Sequence, residues 1–186
     1  LSSGLLYRYA SYKLIKHKPK NKIPFLKKCF KNLNLSKLNN KNLHLPEISE
    51  HSSIIAKQQK IRNILKLFQR KFARKYNKVV IEGRDIQTKI LPNADIKFFF
   101  KCNLNVAALR RFKELKKRYK NTKLLDVKKA MRIRDNLDKK RKISPLTQAK
   151  NAVIVQSDKL NIKDMVELMS KVVEKRIKEK YGYWRD

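Results

Sequence analysis

The sequence predicts an α/β fold in which helices flank a parallel β-sheet. Three short apolar runs, at 79–81, 96–100 and 152–155, are rich in β-branched or aromatic residues and have the length of buried strands. Segments with helical periodicity separate these runs, and strands that alternate with helices are typical of a parallel sheet. At 186 residues the chain is long enough for one domain with a core and too short for two of full size.

Apolar residues that recur every three or four positions predict the helices. The first should follow the Ser3–Gly4 turn and pack one face on the sheet, and the last should start after Asn161, whose side chain can cap it. The segment 16–46, rich in Lys and Asn and interrupted by prolines, is predicted to be a loosely ordered basic insert. The predicted helices cover residues 5–15, 49–74, 105–119, 124–137 and 162–180.

The charge of the chain predicts a polyanionic partner. The formal net charge is +34, from 49 Lys and Arg against 15 Asp and Glu. One hypothesis is therefore a basic nucleic-acid-binding or ribosome-associated protein. The lysines are dispersed over nearly the whole chain, however, and the sequence contains no basic stripe with stacking aromatic residues inside it. A nucleotide is also an anion, so the charge is compatible with a nucleotide-binding protein whose contacts with nucleic acid are non-specific.

Several classes of protein are disfavoured by the sequence. Cys29 and Cys102 are far apart and outside any metal-ligand spacing, so neither a disulfide framework nor a zinc site is expected. His17, His44 and His51 are isolated, and no metal site is predicted from them. The sequence has no apolar run of the roughly 20 residues that cross a bilayer and no signal-peptide pattern, so we expect a cytoplasmic protein with no membrane partner.

The first candidate site follows the predicted strand at 79–81. The strand ends in Gly83-Arg84-Asp85, and ligands of open α/β sheets bind outside the carboxyl ends of the strands. Glycine allows a sharp turn there, and the turn would deliver Arg84 and Asp85 to a ligand. A solvated ion pair at an ordinary strand exit explains these seven residues equally well.

A second candidate site is the polar segment around Arg134. On a helix, Arg134, Asp138 and Arg141 would project from one face at successive turns. Arginine binds phosphate in a bidentate manner and a carboxylate accepts from ribose hydroxyls, so this row suits a nucleotide. The alternative is salt bridging on a solvent-exposed face, worth only about 0.3–0.5 kcal/mol per pair.

Six motifs, taken in order, indicate a family. From residue 3 to about 173 the sequence resembles bacterial cytidylate kinase, the (d)CMP kinase branch of the nucleoside monophosphate kinases. The agreement of several linked motifs in the right order makes this resemblance specific. The motifs are SGLLYR at 3–8, GRDIQT at 83–88, LPNADIK at 91–97, RRFKEL at 110–115, RDNLDKKR at 134–141 and SPL at 144–146.

The resemblance implies a three-layer P-loop NTPase-type parallel sheet flanked by helices. It also implies one partial nucleoside monophosphate kinase domain at 1–186, with the insert 16–46 in the NMP-binding region and a lid at about 108–143. The family's phosphate-binding loop ends in Gly-Lys-Gly-Thr, and no G-x-x-x-x-G-K-[ST] motif occurs in this sequence. We therefore expect an N-terminally truncated sequence that lacks the first strand and this loop. Ser2 and Gln87 also depart from the Asp and Gly that are common in the family.

The resemblance assigns roles to individual side chains. The arginines that match those holding the acceptor 5′-phosphate are Arg8, Arg84 and Arg141. The residues that match the groups at the cytosine edge are Ser53, Arg62 and Asp85, and the pair on the sugar hydroxyls is matched by Arg134 and Asp138. Arg110 and Arg111 match the start of the lid, and Arg84, Arg141 and Arg110 are the expected catalytic arginines. The predicted CMP-binding residues are Ser3, Arg8, Ser53, Arg62, Arg84, Asp85, Arg134, Asp138 and Arg141.

The implied reaction is transfer of the γ-phosphoryl group of ATP to CMP or dCMP, which gives ADP and CDP or dCDP. Mg²⁺ would accompany ATP, and no metal ligand is predicted in this chain. The partners are then CMP or dCMP and ATP, and a monomer is expected. Without the phosphate-binding loop, the chain as given should be inactive. A non-catalytic nucleotide sensor is a third interpretation.

Overall fold

The computed structural model describes residues 1–76, 78–117 and 119–182. They form an α/β structure that is mostly helical and contains a small parallel sheet. The chain divides into two compact units. The first holds Leu1–Pro92 and Arg141–Pro145, and the second holds Asn93–Lys140 and the described residues from Leu146 onward.

Seven α-helices and two β-strands are found among the described residues. In chain order they are α1 (Ser3–His17), α2 (Lys22–Lys31), α3 (Pro46–Ile55), α4 (Gln59–Lys75), β1 (Phe98–Lys101), α5 (Leu104–Lys116), α6 (Leu124–Lys140), β2 (Val153–Gln156) and α7 (Ile162–Tyr181).

The core of the first unit lies between α1, α2, α3 and α4. Helix α4 is strongly amphipathic, and its Ile61 and Leu65 are fully buried against Leu6 and Ala10 of α1 and other apolar residues of the same cluster. Tyr9 meets Phe30 of α2 edge to face, with ring centroids 5.7 Å apart. The predicted first helix is confirmed, and its buried face packs in this helical core.

The prediction that the insert 16–46 is loosely ordered is wrong. The insert contains α2 and two 3₁₀ turns, Leu35–Asn39 and Lys41–His44. Leu26 and Leu43 are fully buried, so isolated apolar residues between the lysines anchor it in the core. The side chains of Asn34 and Asn40 accept from the backbone N–H groups at the start of the two 3₁₀ turns. Two of the six asparagines that predicted a loop therefore cap short helical turns.

The prediction of one long helix at 49–74 is also wrong, because α3 ends at Ile55 and α4 begins at Gln59. Ile55 and Ile61 are both buried although they are six residues apart, a spacing that would put them on different faces of one continuous helix. The break leaves backbone groups to be satisfied. Arg62 Nη1 donates to the carbonyl oxygen of Ala56 at 3.0 Å and so stabilises the break from the following helix.

The strand predicted at 79–81 is reduced to a single parallel bridge between Ser2 and Glu82. The backbone nitrogen of Leu1 donates a hydrogen bond to the carbonyl oxygen of Val80 at 2.7 Å. Glu82 N–H donates to the carbonyl oxygen of Leu1 at 3.0 Å, and Ser3 N–H to that of Glu82 at 2.9 Å. These bonds join the segment to the start of α1, so the β-branched run still ends beside a helix N-terminus.

The second unit contains the predicted parallel sheet. Strands β1 and β2 pair in parallel with Phe98 opposite Val153, and α5 packs against α6. The helix predictions at 105–119, 124–137 and 162–180 are confirmed to within a few residues. The Asn161 side chain accepts from Asp164 N–H, as the capping prediction requires. Most of the aromatic tail, 183–186, lies outside the described residues.

Throughout 1–76, 78–117 and 119–182, none of the helices combines the length and the apolar content needed to cross a bilayer.

Two leucines of α4 give a matched test of the core. Leu65 is fully buried, whereas Leu67 is 63% exposed. We expect Leu65→Ala to lower the free energy of unfolding by about 2–5 kcal/mol because it leaves a cavity. Leu67→Ala should change it by less than about 0.5 kcal/mol, since nothing packs closely around the side chain. Urea unfolding followed by circular dichroism measures both, and equal effects would contradict this assignment of the core.

Candidate functional site

The turn at Gly83 lies directly against the start of α1. A Cβ at Gly83 would lie 2.8 Å from the Ser3 Cβ and 3.0 Å from two side-chain carbons of Ile86. These distances leave no room for a larger residue. Glycine therefore lets the backbone carrying Arg84 and Asp85 approach the buried Ser3, which brings two of the predicted motifs together.

A buried ion pair joins this turn to α4. Arg62 Nη2 and Asp85 Oδ2 are 2.5 Å apart, and each side chain is only 5% exposed. The same guanidinium donates from Nη1 to Ala56, so both of its ends are held. Two charges in the interior are tolerated only as such a hydrogen-bonded pair, and the pairing brings together residues 23 positions apart in the sequence.

Tyr7 of α1 lies over this ion pair. The Arg62 guanidinium carbon is 5.6 Å from the centroid of the Tyr7 ring, within the range of a cation–π contact. The pKa of Tyr7 is raised to about 12, mainly because the hydroxyl is buried; the Asp85 carboxylate adds to the shift, and the cations Arg62 and Arg141 oppose it. The sequence predictions missed Tyr7, although its spacing of four from Ser3 places both on one face of α1.

Arg141 belongs to the first unit and lies close enough to Tyr7 to affect its pKa. Its Nε donates to the carbonyl oxygen of Ser144 at 2.5 Å. Helix α6 ends at Lys140, so Arg141 is the first residue beyond the helix on which the sequence predicted it. The chain then turns, with Ser144 at a φ of 51°.

Arg134 and Asp138 remain paired on α6 in the second unit. Their Nε and Oδ2 atoms are 4.0 Å apart, at the i,i+4 spacing that the sequence predicts. Asp138 also accepts at its backbone carbonyl from the N–H of Leu146, 2.8 Å away. Arg110 lies in the same unit, exposed on α5, and donates to the carbonyl oxygen of Leu160 at 3.2 Å.

The remaining predicted residues lie in the first unit. Arg8 is on α1, and its Nη1 is 3.1 Å from Nδ1 of His44. Arg84 is exposed in the turn after Gly83. Ser53 is exposed on α3, where its hydroxyl donates to the carbonyl oxygen of Ser49 at 3.3 Å. The unit thus groups Ser3, Arg62, Asp85 and Arg141 around Tyr7, in a cluster with one carboxylate and two cations.

Such a cluster suits a small polar anion with a planar group. The carboxylate accepts hydrogen bonds and the guanidinium groups donate them, so an amino group and ring acceptors can be matched together. Arginine forks also pair with phosphate oxygens. In the part of the chain that the structure describes, no three His, Cys, Asp or Glu side chains are grouped in a way that could hold a metal ion.

The family is decided by comparison with known proteins. The family model described as cytidylate kinase matches residues 1–175, which include all six motifs and every predicted site residue. The chain belongs to the cytidylate kinase family. The resemblance predicted from the motifs is therefore confirmed.

Individual cytidylate kinases agree with this assignment. The chain is 33% identical to a cytidylate kinase of Thermosipho melanesiensis over 96% of its own length and 86% of the relative's. It is 33% identical to one of Alkaliphilus oremlandii over 90% of its length and 82% of the relative's. A cytidylate kinase of Clostridium botulinum (strain Okra) is 35% identical over 72% of the chain, and the match spans 61% of that relative.

Substitution of Gly83 tests the close approach to α1. Gly83→Ala should destabilise the protein by about 1–3 kcal/mol, because the Ser3 Cβ cannot move without the α1 backbone. Gly4→Ala is the matched control. The nearest atom to a Cβ at Gly4 is 3.8 Å away, and alanine favours helix, so this variant should be as stable as the wild type or up to about 1 kcal/mol more stable. Urea midpoints measure both variants.

The burial of Tyr7 predicts a pH effect on stability. Its pKa is raised from 10.0 to about 12 in the folded protein, which binds the phenolic proton more tightly than the unfolded chain does. This stabilisation is complete below about pH 10 and is lost as the pH rises towards 12. The wild type should therefore lose stability relative to Tyr7→Phe between about pH 10 and pH 12 in urea unfolding. If the difference in unfolding free energy between the wild type and Tyr7→Phe did not change with pH, this result would contradict the burial of the Tyr7 hydroxyl.

Proposed function

We propose that this chain binds CMP or dCMP and presents it as the acceptor of the γ-phosphoryl group of ATP, with ADP and CDP or dCDP as products. The observation that carries the proposal is the buried Arg62–Asp85 pair, which lies beneath Tyr7 at the Gly83 turn. Membership of the cytidylate kinase family supports it independently.

The base assignment follows from hydrogen-bond complementarity. Cytosine carries an amino donor beside a ring nitrogen and a carbonyl oxygen that are both acceptors. Asp85 can accept from the amino group and Arg62 can donate to the acceptors. Uracil has a carbonyl oxygen in place of that amino group, and this oxygen would meet the carboxylate without a proton between them. Loss of a buried hydrogen bond is costly, so the pair favours CMP over UMP.

The phosphate assignment rests on arginines close to the same turn. Arg84 follows Gly83 directly, Arg141 lies near Tyr7, and Arg8 follows Tyr7 on α1. Their guanidinium groups can bind the acceptor phosphate in a bidentate manner and lower the repulsion between it and the incoming γ-phosphate. Phosphoryl transfer needs positioning and charge neutralisation more than covalent help from the protein. Arg84 and Arg141 are the proposed catalytic residues of this unit.

Further roles come from the family resemblance. Arg134 and Asp138 are proposed for the sugar hydroxyls and Arg110 for the lid, with Ser3 and Ser53 at the nucleoside. Mg²⁺ enters with ATP as part of that substrate and neutralises the charge of its phosphates.

Nucleotide binding tests the base assignment. Titration calorimetry should show tighter binding of CMP and dCMP than of UMP and AMP. Asp85→Asn should weaken CMP binding by at least about 10-fold, or about 1.4 kcal/mol, and narrow the preference for CMP over UMP, because the amide can also donate to the uracil carbonyl. The matched control is Glu82→Gln, which removes an exposed carboxylate three residues away and should leave both affinities unchanged.

Three outcomes would contradict the assignment. Equal affinity of the wild type for CMP, UMP and AMP would remove the base roles of Arg62 and Asp85. An equal loss of CMP and UMP affinity in Asp85→Asn would show that Asp85 does not discriminate between the two bases. Binding to duplex DNA alone, with a salt slope of about −0.9 per phosphate contact, would favour the nucleic-acid hypothesis that the charge of +34 supports.

A further inference from the structure

A histidine of the insert 16–46 lies beside one of the proposed phosphate-binding arginines. His44 Nδ1 is 3.1 Å from Arg8 Nη1. Arginine is always protonated and offers only donors, so Nδ1 of His44 must be the acceptor. The ring proton of a neutral His44 is then on Nε2, and the histidine holds one edge of the Arg8 guanidinium.

We propose that His44 is a positioning residue for the acceptor phosphate, and that it acts by orienting Arg8. The inference rests on the proposed function, because it requires Arg8 to contact the phosphate. Arginine has five N–H donors in a planar fork. The bond from Nη1 to His44 sets the plane of the fork and leaves the other N–H groups for other partners, including the phosphate. A guanidinium that is already oriented loses less entropy when the anion binds.

The backbone around His44 is well suited to this task. Leu43, the preceding residue, is fully buried in the core of the first unit. The 3₁₀ turn Lys41–His44 starts at Asn40, whose side chain accepts from Asn42 N–H at 2.9 Å. Leu45 N–H closes the turn by donating to the backbone carbonyl oxygen of Asn42 at 3.2 Å. His44 is therefore presented from a capped turn that is anchored by a buried leucine next to it.

Arg8 is connected to the rest of the candidate site through α1. Tyr7, its neighbour, contacts Arg62, and Ser3 at the start of the same helix lies against Gly83. A rigid helix thus carries Arg8 at a constant distance from the turn that holds Arg84 and Asp85. The insert contributes a contact to this arginine, which gives a chemical role to a segment that the sequence predicted to be a loosely ordered basic insert.

A double-mutant cycle tests the proposal. CMP and the nucleoside cytidine are titrated by calorimetry into the wild type, His44→Ala, Arg8→Ala and the double variant, at about pH 8, where an ordinary histidine is neutral. His44→Ala should weaken CMP binding by about 3- to 10-fold and leave cytidine binding unchanged, because only CMP carries the phosphate. In the Arg8→Ala background, His44→Ala should have no further effect.

Rescue by an isosteric acceptor separates orientation from folding. Asn Oδ1 occupies nearly the position of His Nδ1, so His44→Asn should bind CMP within about 2-fold of the wild type. The matched control is His17→Ala, which removes another exposed histidine of the same unit whose ring lies 5.5 Å from that of Phe25. This variant should bind CMP as the wild type does. Urea midpoints of all variants report whether the fold is retained.

The outcomes distinguish the positioning role from the proposed function. If Arg8→Ala weakens CMP binding and His44→Ala does not, the positioning role is wrong and the phosphate role of Arg8 stands. Equal losses for CMP and cytidine, failure of His44→Asn to restore binding, or additive effects in the double variant would also overturn it. If Arg8→Ala binds CMP as the wild type does, the phosphate role of Arg8 and the role of His44 fail together.

Discussion

The buried ion pair between Arg62 and Asp85 is the interaction on which the first unit depends. Each charge would be very costly to bury alone, so each requires the other. The pair also determines local structure on both sides. Through Ala56 the guanidinium satisfies the end of α3, and through Asp85 it holds the turn after Gly83. One guanidinium therefore connects two helices and the turn, and Tyr7 covers it from α1.

In the proposed function, the same pair would couple stability to recognition of the base. In the free protein the Asp85 carboxylate and the Arg62 guanidinium are hydrogen-bonded to each other, so neither charge is buried without a partner when no ligand is bound. A base edge with matching donors and acceptors can share those hydrogen bonds at little cost, whereas a mismatched edge would leave a buried group without a partner. A stabilising ion pair can in this way also discriminate between bases. Tyr7 contributes by burying the pair while its own hydroxyl stays protonated.

The high positive charge comes from two groups of residues, the exposed lysines and the arginines of the candidate site. Much of it lies on exposed lysines of helices and of the insert, where solvent and salt screen it. The arginines of the candidate site are fewer, and specific contacts hold several of them, such as Arg8 with His44 and Arg141 with Ser144. Orientation therefore distinguishes them from the general charge. The arginine fork suits this use, because its donors are arranged in a plane that matches phosphate oxygens.

The family, the parallel pairing of strands, most helices and the residue types of the candidate site could be predicted from the sequence, because these follow from local periodicity, capping and linear motifs. How those residues combine depends on the tertiary structure. It joined Arg62 to Asp85, broke the helix predicted at 49–74, and ordered the insert around a few buried leucines. These outcomes depend on contacts between residues distant in the sequence, and on the cost of burying unpaired polar groups, which a periodic pattern does not contain.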